Sequence, residues 1–215
     1  MSLYTPGVED GGRVALLVPV KDFARAKARL AGVLDAPARN ELARRMATRV
    51  VLAAGALPVS VVCDDDEVAR WTEALGVRVI RVAAQGLDRA VADGVDALAA
   101  EGVARVIVAA GDLPLADGLA ELAGGAGDGV TLVPDRRDDG TNVAVVPAGA
   151  GFRFAYGPGS FARHVAEGGR LELDVEVLRP AALTLDVDLP EDLALARSRL
   201  QGATWPLSGA QRSCA

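Results

Sequence analysis

In the first half of the chain, apolar runs rich in β-branched residues alternate with stretches whose apolar residues recur at helical spacing. Arg13 to Val20 ("RVALLVPV"), Val59 to Cys63, Val77 to Val82 and Arg105 to Ala110 predict strands covered on both faces. Between them a helix is expected from about Asp22, and another from an Asp35 N-cap, with Pro37 in its first turn, to about Ala54. Two more are expected, one near Glu67 to Leu75 opened by "DDDE", the other from Leu87 to Glu101 and stopped by Gly102. Parallel strands need long crossovers, and helices at these positions supply them. The pattern therefore predicts an α/β protein with a mainly parallel sheet.

The second half is less regular. Val130 to Pro134 and Asn142 to Pro147 read as strands, with a glycine-rich turn at Gly124 to Gly129 before them and the polar "PDRRDDG" between them. A helix is expected at Phe161 to Glu167, strands at "LELDVEVL" and "ALTLDVDL", and a last helix at Pro190 to Leu200. We expect an N-terminal extension at 1–12, one domain at 13–201 and a loose tail at 202–215, which Trp205 can pin to the body.

Composition narrows the functions. Only 4% of residues are aromatic while 51% are apolar, so Val, Leu and Ala must build the core. A net charge of -6 argues against a nucleic-acid partner, since a phosphate backbone demands a surplus of Lys and Arg. Cys63, Cys214 and the single His164 cannot assemble a sulfur and imidazole zinc site, so any metal must be held by oxygen. There is no secretory pattern and no run near the ~20 apolar residues of a membrane span, which leads us to expect a cytoplasmic protein.

In open α/β sheets, ligands bind beyond the carboxyl ends of the strands. Lys21 follows the first strand, Asp112 the fourth, and Asp186 and Asp188 end the last. Converging carboxylates without imidazole or thiolate suit Mg²⁺ and phosphoryl chemistry. Alternatively, Asp112 caps a helix at Leu115 to Ala123 or makes a turn before Pro114. Lys21, Arg25, Lys27 and Arg29 are either a phosphate-binding loop or a solvated helix face, and no GxxxxGK[ST] motif is present. Ser160, after "YGPG", either meets an anion at a helix N-terminus or simply caps that helix. Arg163 and His164 read equally as surface residues or ligands. Asp188 can cap the last helix, which leaves Asp186 as the better metal candidate.

The motifs "VPVKDFARAKARL", "GDLPL", "DRRDDGTNV", "FAYGPGSFARH" and "LDVDLPEDL", in this order, resemble the guanylyltransferases of coenzyme F420 biosynthesis, which act on phosphoenolpyruvate or 2-phospho-L-lactate. The likeness runs from about Val14 to Leu200. It implies a single-domain, Rossmann-like mixed sheet of the nucleotide-diphospho-sugar transferase type. It also implies that the phosphate of a small acid attacks the α-phosphorus of GTP and that pyrophosphate leaves. By resemblance, Asp112 and Asp186 hold Mg²⁺, with Asp188 a further candidate, and Asp112, Lys21 and Lys27 serve catalysis. Lys21 also meets the GTP phosphates, and Thr141, Gly157 and Ser160 bind the phosphorylated three-carbon acid. One departure is "GLD" where the family usually has Gly-Leu-Asn, which brings the Asp88 carboxylate near the expected nucleotide site.

Two other readings compete. Another nucleotidyltransferase of this fold usually carries a GxGxRxxxxxPK signature, whereas here no glycine follows the first strand until Gly32. A catalytically silent nucleotide-binding or interaction domain is the third. The motifs do not choose among phosphoenolpyruvate, 2-phospho-L-lactate and 3-phosphoglycerate, and an Ala- and Val-rich sheet edge is compatible with a homodimer.

Overall fold

The computed structural model describes residues 13–83, 86–124 and 127–200. The early apolar runs become β1 (Val14–Pro19), β2 (Val59–Cys63), β3 (Arg78–Arg81) and β4 (Arg105–Ala109). Their crossovers are α1 (Ala36–Leu52), α2 (Asp66–Ala74) and α3 (Leu87–Ala100). After β4 come β5 (Val130–Pro134), β6 (Thr141–Pro147), α4 (Ser160–Arg170), β7 (Val175–Val177) and α5 (Pro190–Arg199). The strands form a single seven-stranded sheet in the order β3-β2-β1-β4-β6-β5-β7.

Pairing is parallel from β3 through β4, and β6 then runs antiparallel to both β4 and β5. The sheet is therefore mixed. Successive β1 residues face opposite ways, as the two-residue repeat of a strand requires. Leu16 and Val18 pack with Ala43, Ala47 and Val50 of α1 and with Val68 and Trp71 of α2. Ala15 and Leu17 pack on the other face with Val91, Val95 and Leu98 of α3. A smaller cluster joins Leu42 and Met46 of α1 to Leu193 and Ala196 of α5.

Four expected elements differ. Of the strand expected at "LELDVEVL" only Val175–Val177 forms, because Leu171 closes α4 and Glu172 takes a left-handed φ of 56°. No α-helix starts near Asp22: the Asp22 carboxylate accepts from the Ala24 N–H at 2.7 Å, and Lys27 takes a left-handed φ of 56°, which a continuing helix forbids. A short 3₁₀ turn at Ala28–Leu30 is all that forms. The helix expected at Leu115 to Ala123 shrinks to a 3₁₀ turn at Leu119–Gly124, because Gly118 has φ 66° and its N–H is held by the Asp117 side chain. Residues 182–189 make no ladder, although Leu183, Leu185 and Val187 are buried. Their alternation reports burial by core contacts, with side-chain and loop hydrogen bonds in place of a neighbouring strand. The N-terminal extension, the C-terminal tail and the middle of the glycine-rich turn lie outside the described residues.

Candidate active site

The carboxyl ends of β1, β2 and β4 lie side by side, and the antiparallel pairing of β6 with β4 brings the start of β6 to the same end of the sheet. The Ala110 N–H donates to the Asn142 carbonyl at 2.8 Å, so Thr141 comes near the segment that carries Asp112. Residues from both halves of the chain are thus delivered to one edge.

At the centre is Lys27. Its ammonium, almost wholly buried, donates to Asp112 Oδ2 at 2.5 Å and to Asp188 Oδ1 at 2.8 Å. Burial alone would favour loss of its proton, but the two carboxylates outweigh that and hold it charged well above the ordinary lysine range. Asp186 completes the group, because one carboxylate oxygen from each of Asp112, Asp186 and Asp188 lies within 4.8 Å of the others. Burial first, and then the Asp112 charge, push the Asp186 carboxyl up to about 6. Its Oδ1 is buried without a hydrogen-bond partner. Such an oxygen is costly unless a ligand meets it. Three oxygen donors, one of them unsatisfied, fit a hard divalent cation.

Asp188 does not cap α5. Asp192, fully buried, takes that role, accepting from the Leu189 N–H at 2.9 Å and the Asp188 N–H at 3.2 Å. Arg136 and Arg137 of the β5–β6 loop donate to its Oδ1 at 2.7 and 2.8 Å. This clamp orders the backbone at 188 and leaves the Asp188 side chain for Lys27. The Val187 N–H, bonded to the Asp112 carbonyl at 3.3 Å, ties the same segment to the end of β4.

Beside this cluster a cleft of about 410 Å³ runs along the ends of β1, β2 and β3 to the first turn of α3, lined by Lys21, Arg25, Cys63, Asp64, Gly86 and Leu87 among others. Lys21 also lines, with Gly111 and Asp112, a smaller cavity of about 130 Å³. It is exposed and makes no ion pair among the described residues. The basic segment is therefore split: Lys27 turns inward to the carboxylates, while Lys21 and Arg25 edge the cleft.

The third group gathers around the loop 155–159. Gly157 and Gly159 adopt φ of 100° and 72°, conformations that L side chains resist. Gly159, and not Ser160, is the N-cap of α4. The buried Ser160 Oγ instead accepts from the Thr141 N–H at 3.0 Å. Asp88 Oδ1 accepts from the Tyr156 N–H at 2.7 Å, and an asparagine amide oxygen at this position can make the same bond. The Asp88 carboxylate thus serves the loop. Arg163 donates to the carbonyls of Ala155 and Pro158 at 2.8 and 2.7 Å, and Asp139 accepts from the Gly159 N–H at 2.9 Å.

The structure brings Lys27, Asp112, Asp186 and Asp188 into direct contact or near it, and joins Thr141 to Ser160, with Gly157 in the adjoining loop. Asp88 touches that loop from α3, and Lys21 stands between the cleft and Asp112. Sequence reasoning did not single out Asp139, Arg163 or His164 as supports of the loop. The four-residue spacing of Ser160 and His164, which puts both on one helix face, was the available signal.

The model of the family described as "Guanylyl transferase CofC like" matches residues 14–196. The chain is 40% identical to the phosphoenolpyruvate guanylyltransferase of Thermomonospora curvata, over 91% of this chain and 87% of that protein. It is 36% identical to the enzyme of the same name from Rubrobacter xylanophilus, over 84% and 92% respectively. In fold it is similar to a crystal structure assigned as a nucleotide-diphospho-sugar transferase from Desulfovibrio desulfuricans, with a TM-score of 0.71, 17% identity and 89% of each chain covered.

Proposed function

Because the chain belongs to the CofC-like guanylyl transferase family, we propose that it transfers GMP from GTP to the phosphate of phosphoenolpyruvate, releasing pyrophosphate, as a step of coenzyme F420 biosynthesis. The observation that carries this reading is the convergence of an oxygen-only carboxylate cluster, with its unsatisfied Asp186 oxygen, and a hydroxyl- and glycine-lined loop at one end of the sheet. The first suits a metal-bound triphosphate and the second a small anion. A nucleotidyl transfer to an acid phosphate needs one site of each kind.

In this proposal Asp112 and Asp186 hold Mg²⁺, with Asp188 assisting. When bound there, Mg²⁺ supplies positive charge to the triphosphate oxygens. Lys21 at the cleft edge meets the GTP phosphates. Lys27 keeps its charge beside the reacting centre, where negative charge builds on the α-phosphoryl group and on the departing pyrophosphate. Thr141, Ser160 and the Gly157 backbone hold the acid so that its phosphate oxygen faces the α-phosphorus. No nucleophile from the protein is required, because the acid phosphate is already ionised; positioning and charge stabilisation carry the rate.

The test is pyrophosphate release from the purified protein with GTP and Mg²⁺, with phosphoenolpyruvate, 2-phospho-L-lactate or 3-phosphoglycerate as acid and ATP as the control nucleotide. Release is expected with GTP and phosphoenolpyruvate, and Asp112→Ala is expected to lower kcat by roughly a hundredfold or more. Preferential release with a different acid overturns the substrate assignment. Tight GTP binding with no release across all three acids overturns the activity itself, and turnover by Asp112→Ala at the native rate overturns the metal assignment.

A further inference from the structure

His164 is fully buried and both of its ring nitrogens are engaged. Nε2 faces the Ala155 N–H at 2.9 Å, and since a backbone N–H can only donate, Nε2 must accept and carries no proton. The one proton of the neutral ring is therefore on Nδ1, 2.9 Å from Thr141 Oγ1. Burial first, and then the Arg163 charge, pull the imidazole down to about 4, so the same tautomer holds through the neutral range.

That tautomer decides what Thr141 can do. Its Oγ1 accepts from His164, and no protein group among the described residues receives its hydroxyl proton. Ser160 is in the same position, because its Oγ accepts from the Thr141 N–H while its own proton has no protein acceptor among the described residues. Two neighbouring hydroxyls are left as donors. A phosphate or carboxylate, which offers acceptors alone, is the complementary ligand.

We propose that His164 is a positioning residue, which by donating from Nδ1 holds the Thr141 hydroxyl as a hydrogen-bond donor to the anionic groups of the phosphorylated acid. The proposal rests on the reading that Thr141 touches the acid. It deepens that reading, because a residue with no substrate contact then controls acid affinity. His164 does this while also fixing Ala155, so β6, the glycine loop and α4 are joined through one ring.

The test compares His164→Gln, His164→Asn and Thr141→Val in steady-state kinetics. The asparagine amide nitrogen reaches the place of Nδ1 and can still donate to Thr141. The glutamine amide reaches the place of Nε2 and offers nothing at Nδ1. Both variants lose the ring packing against Phe152, Phe154 and Tyr156, so a purely structural role makes them fail alike. We expect His164→Gln and Thr141→Val each to raise KM for phosphoenolpyruvate by roughly tenfold, with KM for GTP unchanged. His164→Asn is expected to recover most of that loss, and the Thr141→Val/His164→Gln double variant to be no worse than Thr141→Val alone. Equal defects in the two His164 variants, or multiplicative losses in the double variant, overturn the inference. If Thr141→Val raises KM for the acid and His164→Gln does not, the inference alone falls. If Thr141→Val leaves KM for the acid unchanged, the placing of the acid falls and takes the inference with it.

Discussion

At the scale of single residues, His164 and Asp186 are both shifted by burial, and their stability effects have opposite signs. His164 titrates near 4 in the fold against an ordinary 6.5, so between those values the unfolded chain binds more protons than the native one. Its contribution is present above pH 6.5 and is lost as pH falls toward 4. Asp88 and Glu167 nearby act to raise its pKa and Arg163 to lower it, but burial dominates. Asp186 titrates near 6 against an ordinary 3.8, so the metal-free fold gains stability as pH falls through 6. The two slopes overlap and partly cancel in the wild type. Removing the imidazole therefore exposes the Asp186 slope. With divalent cation chelated, the midpoint of His164→Asn is expected to rise relative to wild type by several degrees between pH 6.5 and pH 4.5, as read by thermal unfolding across that range. A constant difference between the two proteins over the range would mean that the native histidine titrates like the unfolded one.

At the scale of elements, β2 and β5 keep the ends expected from their apolar runs, and Asp35 caps α1 as expected, because continuous Val-rich runs and a local N-cap need no tertiary information. The loop after β1 was not legible. Lys27 is drawn out of helical spacing by carboxylates 85 and 161 residues away in sequence, and no local pattern records that attraction. The segment 182–189 was half legible: its alternation announced buried Leu183, Leu185 and Val187, but which neighbour would satisfy its backbone depends on the strand order. The site followed the same rule. Candidate residues could be named from strand ends and resemblance, whereas the supports that hold them, such as the Arg136 and Arg137 grip on Asp192, join elements far apart in the chain. One of those supports is testable at the helix itself. Gly168 of α4 faces Val175 of β7 so closely that an added Cβ would collide with the Val175 Cγ2 methyl. A β-branched side chain has little freedom to move aside. Gly168→Ala is expected to cost about 1–3 kcal/mol through overpacking, less up to about 1 kcal/mol regained from helix propensity. Because α4 carries Ser160 and His164, KM for the acid should rise along with the loss measured by denaturant unfolding. An alanine variant as stable as wild type would show that β7 yields without disturbing the helix.

At the scale of the whole molecule, the Lys27 ammonium is where three distant stretches meet: the loop between β1 and α1, the end of β4 and the segment entering α5. β1 and β4 are already paired in the sheet and the Val187 N–H already joins the α5 segment to Asp112, so what the lysine adds is a bond from the loop after β1 to both of the other stretches. The same carboxylates are those proposed to hold Mg²⁺, so the lysine and the metal share one set of negative charges. In Lys27→Met the stem keeps most of its packing while the charge is lost, and Asp112, Asp186 and Asp188 then repel one another. Without divalent cation this variant should be less stable than wild type by about 1–3 kcal/mol, below the usual cost of breaking a fully buried pair because Asp112 and Asp188 are partly exposed. Added Mg²⁺ is expected to raise its unfolding midpoint more than that of the wild type, since the ion relieves a larger repulsion, and a chelator should reverse the gain. Asp186→Asn in the same background removes one of the repelling charges and should shrink both effects. Turnover should stay low in Lys27→Met even at saturating Mg²⁺, because the metal restores the fold's charge balance without replacing the ammonium at the reacting phosphorus. An unfolding midpoint that ignores Mg²⁺ in wild type, Lys27→Met and the double variant alike would mean that these carboxylates serve the lysine and bind no metal.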